Sequence, residues 1–146
     1  MASVNAYNCR LYYNETGKGG TGAWVEFSNI KNLTQNLTAG EADVTTRAGD
    51  GYKATEPTLI DASVEFQSVY DASDAHLAIF QAAFIGRTRL GIRVLTGDPT
   101  VDAEGIEADM KVTAFTRNEQ IEDAVTIDIT MKPCYSADAP EWVELP

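Results

Sequence analysis

The sequence predicts a mainly β protein, an antiparallel β-sandwich or barrel with one flanking α-helix, on three observations. Four segments alternate apolar and polar residues at a period of two, one segment repeats apolar residues three and four apart, and glycine, proline and asparagine cluster between them. The 146 residues, 44% of them hydrophobic, suit a single domain with one core.

The first alternating run places Ala62, Val64, Phe66 and Tyr70 opposite Ser63, Glu65 and Gln67, the pattern of a half-buried strand. Asp71-Ala72-Ser73-Asp74 then offers helix-capping chemistry, with Ser73 as the expected cap. A helix over residues 73–86 follows, with Leu77, Phe80, Ala83 and Phe84 in one apolar stripe and Gly86 as its left-handed stop. Three further runs predict antiparallel strands: Leu90, Ile92 and Val94; Ile106, Ala108, Met110, Val112 and Ala114; Val125, Ile127, Ile129 and Met131. Their polar positions carry Glu107, Asp109, Lys111 and Asp128. The period fixes only that these four share the non-core side, so they are candidates for either a lumen or an outer surface.

The first half is β-rich but less regular, with candidate strands over residues 6–13, 23–27, 29–37 and 42–47. Residues 48–58 hold two glycines and a proline without apolar periodicity, which predicts a long protruding loop. Its charges of both signs suit contact with a neighbouring subunit, so Arg47, Asp50, Gly51, Tyr52, Lys53 and Glu56 are the candidate subunit contacts. The N-terminal segment and an arm over residues 136–146 are expected to be flexible unless docked, although Trp142, Val143 and Leu145 are apolar enough to dock.

Composition excludes several functions. With 22 acids against 11 bases the formal charge is −11, which repels phosphate backbones rather than gripping them. Residues 98–146 alone carry 12 acids and 3 bases, an asymmetry that can orient subunits associating head to tail. No long apolar run and no secretion leader is readable, so a soluble product of a cytoplasm, without membrane contact, is expected. In that setting Cys9 and Cys134 read as reduced thiols, and the three Asn-X-Thr sites as polar turn and strand positions.

Catalytic and cofactor chemistry is looked for without success. The run Gly17-Lys18-Gly19-Gly20-Thr21-Gly22 is glycine-rich like a phosphate cradle, but a strand pattern, Ala23 to Phe27, follows it where a lysine, a hydroxyl and a helix are needed. It reads as a hairpin loop that binds no ATP. His76, the only histidine, stands beside no evident nucleophile, and the acids Asp98, Asp102, Glu104, Glu107 and Asp109 lack the spacing of a calcium loop. No enzyme activity, cofactor or metal is expected.

The block from Asn36 to Asp98 resembles the central part of bacteriophage tail tube proteins. Asp43-Val44-Thr45-Thr46-Arg47 enters a glycine-containing loop, Leu59-Ile60-Asp61-Ala62-Ser63-Val64-Glu65-Phe66 follows, and a helix over residues 71–84 exits at Gly86 before the closing strands. The resemblance implies six copies closing into a ring, and rings stacking into a tube that DNA traverses without specific binding. It implies as partners the chain itself and other tail proteins, and as location a virion tail assembled in a bacterial host cytoplasm. A ring protein of a secretion tube shares the architecture, and an acidic β-sandwich module binding carbohydrate or another small ligand is the reading from a different class.

Overall fold

The alternating runs pair into a single antiparallel sheet in the computed structural model, which describes residues 8–97 and 103–144. The elements follow as β1 (Arg10–Asn14), β2 (Val25–Phe27), β3 (Ile30–Asp43), β4 (Thr55–Val69), α1 (Ala75–Gly86), β5 (Leu90–Leu95), β6 (Glu104–Asn118), β7 (Thr126–Pro133) and β8 (Glu141–Glu144). The strand order is β2-β1-β5-β6-β7-β4-β3, and β8 pairs with β6. β2 and β3 are thus the two ends of the sheet, yet Phe27 and Ile30 are joined by only two intervening residues. Three Cα steps reach at most about 11 Å, whereas seven flat strands would span about 29 Å. The sheet has therefore curled until its ends meet, which gives the expected sandwich or barrel.

The curled sheet and α1 enclose one main core. Phe27, Phe66, Phe80 and Tyr13 meet edge to face or tilted, with Phe27 and Phe80 centroids 5.1 Å apart. Leu77, Phe80 and Ala83 supply the buried stripe of α1, while Phe84 stays partly exposed and stacks on Phe115. Ile127, Ile129 and Met131 are buried and Thr126, Asp128 and Thr130 are not, so the register read from β7 holds.

Several local expectations are corrected. Asp74, not Ser73, caps α1, accepting from the His76 amide at 3.0 Å. Ser73 is occupied one step upstream, where its amide and hydroxyl both donate to Asp71 Oδ1. The left-handed exit falls on Arg87 (φ 55), one residue beyond Gly86. In β6 a bulge between Val112 and Ala114 breaks the period, so Phe115 rather than Ala114 points coreward opposite Ile129. The strand expected over residues 29–37 runs on to Asp43 as β3, kinked at Asn32 (φ 56) and near Gly40, whereas of the strand expected over 42–47 only Ala42 and Asp43 belong to it and the rest lies in the connection that follows. The C-terminal arm is docked, with Trp142 opposite Ile106 and Val143 opposite Gly105.

Candidate assembly surface

The protruding element is longer and more ordered than a loop. Pairing between β4 and β7 ends at Val64↔Met131, but pairing between β3 and β4 continues to Asp43↔Thr55. Residues 55–63 of β4 therefore leave the sheet with β3 alone, as a two-stranded arm about 30 Å long. Pro57 fits there because the β7-side edge of β4 has no partner at that level and needs no amide donor. At the tip a 3-10 turn, Arg47–Gly49, runs into left-handed Asp50 (φ 53) and Gly51 (φ 86). The Tyr52 amide donates to the Gly49 carbonyl, and Val44 to Ala54.

The tip gathers the predicted contact residues. Arg47, Asp50, Gly51, Tyr52, Lys53 and Glu56 are all exposed, Tyr52 at 78%. The boundaries shift: the expected loop over residues 48–58 becomes the connection between Asp43 and Thr55, of the same length but four residues earlier in the chain. Behind the tip lies a feature the sequence pattern missed. Leu37 pairs with Ala62 and Ala39 with Ile60, so these residues continue the core face of β3 and β4 beyond the point where the core ends. Ile60 is 74% exposed, and with Leu37, Ile106, Pro133, Pro140 and Trp142 it lines a groove of about 550 Å³ between the arm and β8. Apolar side chains in line with a core but without cover mark a surface meant for another molecule.

Glu107 and Asp109 are not on an open face, contrary to expectation: both are buried, Asp109 with 2% exposure. The non-core side of β6 is covered here by the glycine-rich loop and the C-terminal arm. Asp109 Oδ1 accepts from the Lys18 amide at 2.5 Å, Oδ2 accepts from the Ser136 hydroxyl, and the Arg89 guanidinium lies 4.0 Å away. The Cys134 amide donates to the Asp109 carbonyl. Glu107 pairs with Arg93 at 3.1 Å, and the Arg93 guanidinium sits 4.4 Å over the Trp24 ring. One signal was available: Gly91, opposite Asp109 in β5, leaves room for the loop backbone, since a Cβ there would stand 2.7 Å from the Lys18 amide nitrogen. Lys111 is exposed, and half-buried Asp128 accepts from Gln67 Nε2 at 2.9 Å and Asn118 Nδ2 at 2.8 Å.

The glycine-rich segment is the hairpin loop between β1 and β2, closed by Asn14 Nδ2 donating to the Gly22 carbonyl. His76 shares a 2.6 Å hydrogen bond with the Tyr13 hydroxyl beneath α1. Of the acidic run, Asp98 and Asp102 lie outside the described residues, as do Ala6 and Leu145. Among the described residues no group of His, Cys, Asp and Glu is placed to hold a metal, and no helix is long and apolar enough to cross a membrane. Cys9 and Cys134 are free thiols.

Two groups, Lys18 and Tyr13, hold their protons above their ordinary ranges. The hydrogen bond to Glu141, at 2.8 Å, holds the Lys18 ammonium above its ordinary range against the opposing effect of burial. Burial, then Glu15 and Asp74, pushes the Tyr13 phenol up as well. Both folded values are raised, so the stability they contribute is fully present below about pH 10 and lost as pH rises through the raised values. Thermal melting is expected to be insensitive to these two groups at pH 7–9 and to fall above that window, less steeply in Lys18→Met.

No model of a known protein family and no curated protein matches the chain. Its fold matches solved structures over almost its full length. A chain from the tail of an empty gene transfer agent particle, a structure with C6 symmetry, superposes with a TM-score of 0.69 at 14% identity, covering 97% of this chain and 99% of that one. The SPP1 tail tube gives 0.68 at 14% identity over 89% of this chain and 75% of that one. A chain of the PVC sheath-tube complex, from an extracellular contractile injection system in its extended state, gives 0.64 at 10% identity, covering 99% and 94%. The resemblance read in the sequence is met at the level of the fold.

Proposed function

We propose that the chain is the structural, non-enzymatic subunit of a phage-type tail tube, closing with other copies into rings, six to a ring, that stack around a channel for DNA. The observation that carries this reading is the arm. A subunit that worked alone would gain nothing from extending its core face about 30 Å past the core with Leu37 and Ile60 uncovered. In a closed assembly the same face is buried, and the end strands β2 and β3 gain neighbours. The fold shared with tail and tube chains, one of them in a C6 structure, supports the ring and its copy number. The charge of −11 supports a lumen that lets DNA slide without binding it. Other tail proteins are the remaining partners, and a virion tail made in the host cytoplasm is the location.

The match to an injection-system tube supports a second reading, a tube in a phage-derived secretion or injection device. A carbohydrate platform is less favoured, because the exposed aromatics Tyr52, Tyr70, Phe84, Tyr135 and Trp142 sit on five separate segments of the chain rather than in one cluster along a strand. The test is negative-stain microscopy of purified protein at rising concentration and at several salt strengths. Hollow tubes of uniform width are expected; globular particles under every condition would overturn the proposal.

A further inference from the structure

Asp50–Gly51, at the tip of the arm, is the one Asp-Gly pair in the chain. An aspartyl carboxyl can be attacked by the main-chain nitrogen of the next residue, and a Cβ on that residue hinders the approach. Every other described aspartate precedes a residue that carries one. Gly51 does not, and no protein atom lies within 4 Å of the place where its Cβ would stand.

Both reacting groups are also unengaged. Asp50 is exposed, and its carboxylate has no hydrogen bond or ion pair among the described residues. The Gly51 amide donates to no described carbonyl. The competing aspartates differ. Asp43 accepts from the Thr45 amide, and Asp71 from the Ser73 amide and hydroxyl. Hydrogen bonding from Thr45 and Ser73, side chain first and amide second, holds both carboxyls below their ordinary range, in the ionised form that a nitrogen attacks least readily. Asp74, Asp109 and Asp128 are each fixed by hydrogen bonds they accept.

The pair is free to reach the attacking geometry. Asp50 stands at φ 53 and ψ 35 and Gly51 at φ 86. Rotation about the Asp50 ψ is opposed by one hydrogen bond across the pair, from the Tyr52 amide to the Gly49 carbonyl at 3.0 Å, and by no buried side chain, since residues 43–61 are all exposed. A segment held so lightly opens at little cost. From this arrangement we infer that Asp50–Gly51 is a site of spontaneous isoaspartate formation in the unassembled subunit. The Gly51 nitrogen bonds to Asp50 Cγ, while the carboxylic acid's hydroxyl and the nitrogen's proton leave as water, closing a five-membered imide. Water then adds at one of the two imide carbonyls. Opening at Cγ restores aspartate. Opening at the main-chain carbonyl breaks its bond to the Gly51 nitrogen, leaves the chain running through Cγ and frees that carbonyl as a carboxylate. Water is the sole co-reactant, and the charge is unchanged. The main chain gains one carbon in a tight turn, which must change shape to hold it. The chemistry stands apart from the tube reading, but its consequence rests on it: a subunit left too long unassembled loses the tip geometry it would assemble with.

The experiment is peptide mapping of soluble subunits aged at physiological temperature, with an isoaspartate-specific methyltransferase as the probe and a free peptide of residues 46–54 aged beside them. An isoaspartyl peptide of unchanged mass is expected at Asp50, formed at a rate within about threefold of the free peptide's. Asp50→Glu keeps the charge but must close a larger ring, and should abolish the signal. A rate below the peptide's by about tenfold or more would mean that the turn holds Asp50 out of reach. A signal that survives Asp50→Glu would place the product elsewhere, and either result overturns the inference. Polymerised protein aged in parallel separates this inference from the tube reading. Protection at Asp50 in the polymer upholds both. Equal conversion in the two states upholds the inference and counts against a covered tip, and no conversion in soluble subunits overturns the inference alone.

Discussion

Ile60→Asp is expected to abolish polymerisation while leaving the subunit folded. Within the subunit the side chain is 74% exposed on the arm of β4, past the last β4–β7 pair, so its replacement costs at most about 0.5 kcal/mol of stability. In an assembly that covers the arm, the same carboxylate is taken from water into a surface lined by Leu37, Ile106 and Trp142, none of which can donate to it there except the Trp142 indole. Burying an unpaired charge costs several kcal/mol. The penalty recurs at every subunit, because each copy presents one such surface. A tenfold shift in association follows from each 1.4 kcal/mol, so the concentration needed for tubes should rise by two orders of magnitude or more. Sedimentation and negative-stain microscopy read the loss, and thermal melting verifies the fold. Tubes forming at the wild-type concentration would show that the arm is not an assembly element.

Sequence periodicity revealed the strands whose burial arises within the subunit and failed where burial comes from elsewhere. Ala62, Val64 and Phe66 alternate because one side of β4 lies on the core, and the same holds for Ile127, Ile129 and Met131 in β7. Residues 55–58 belong to the same strand, but neither side of them is covered in the subunit, so no period marks them and they read as loop. The opposite failure occurs in β6. Its first half is buried on both sides, but Glu107 and Asp109 are polar and therefore read as wet. Their cover comes from residues far away in the chain, Lys18 and Ser136 among them, held by side-chain hydrogen bonds that leave no periodic trace. Only the small residue Gly91 hinted at a crossing backbone. The tip residues were legible for a simpler reason: a turn with Asp50 and Gly51 in left-handed conformations draws on the glycine and aspartate that mark turns in any sequence.

The buried carboxylate of Asp109 should prove the main fastening of the C-terminal arm, and Asp109→Ala is expected to release that arm and cost about 3–5 kcal/mol. Three groups depend on it: the Lys18 amide, the Ser136 hydroxyl and, more loosely, the half-exposed Arg89 guanidinium. Alanine leaves the first two without the acceptor that the 1%-exposed Asp109 side chain supplies, although half-buried Ser136 also accepts from the Asp138 amide. Arg89 can turn to solvent, so its share of the loss is small. Once Ser136 and Lys18 are loose, the arm is held by the Lys18–Glu141 pair, the four-residue ladder of β8 and the packing of Val143 on Tyr12, Leu95 and Ala103, against the chain entropy gained on release. The melting temperature should drop by roughly 10 °C for a chain of this size. Ser136→Ala, which removes one donor and leaves Asp109 its other contacts, should lose only about 1 kcal/mol. Hydrogen exchange separates this account from general destabilisation: amides of residues 141–144 should reach solvent rates in Asp109→Ala while those of β7 keep their protection. A variant that melts within a degree of the wild type, or one in which β7 and β8 lose protection together, would show that Asp109 does not fasten the arm.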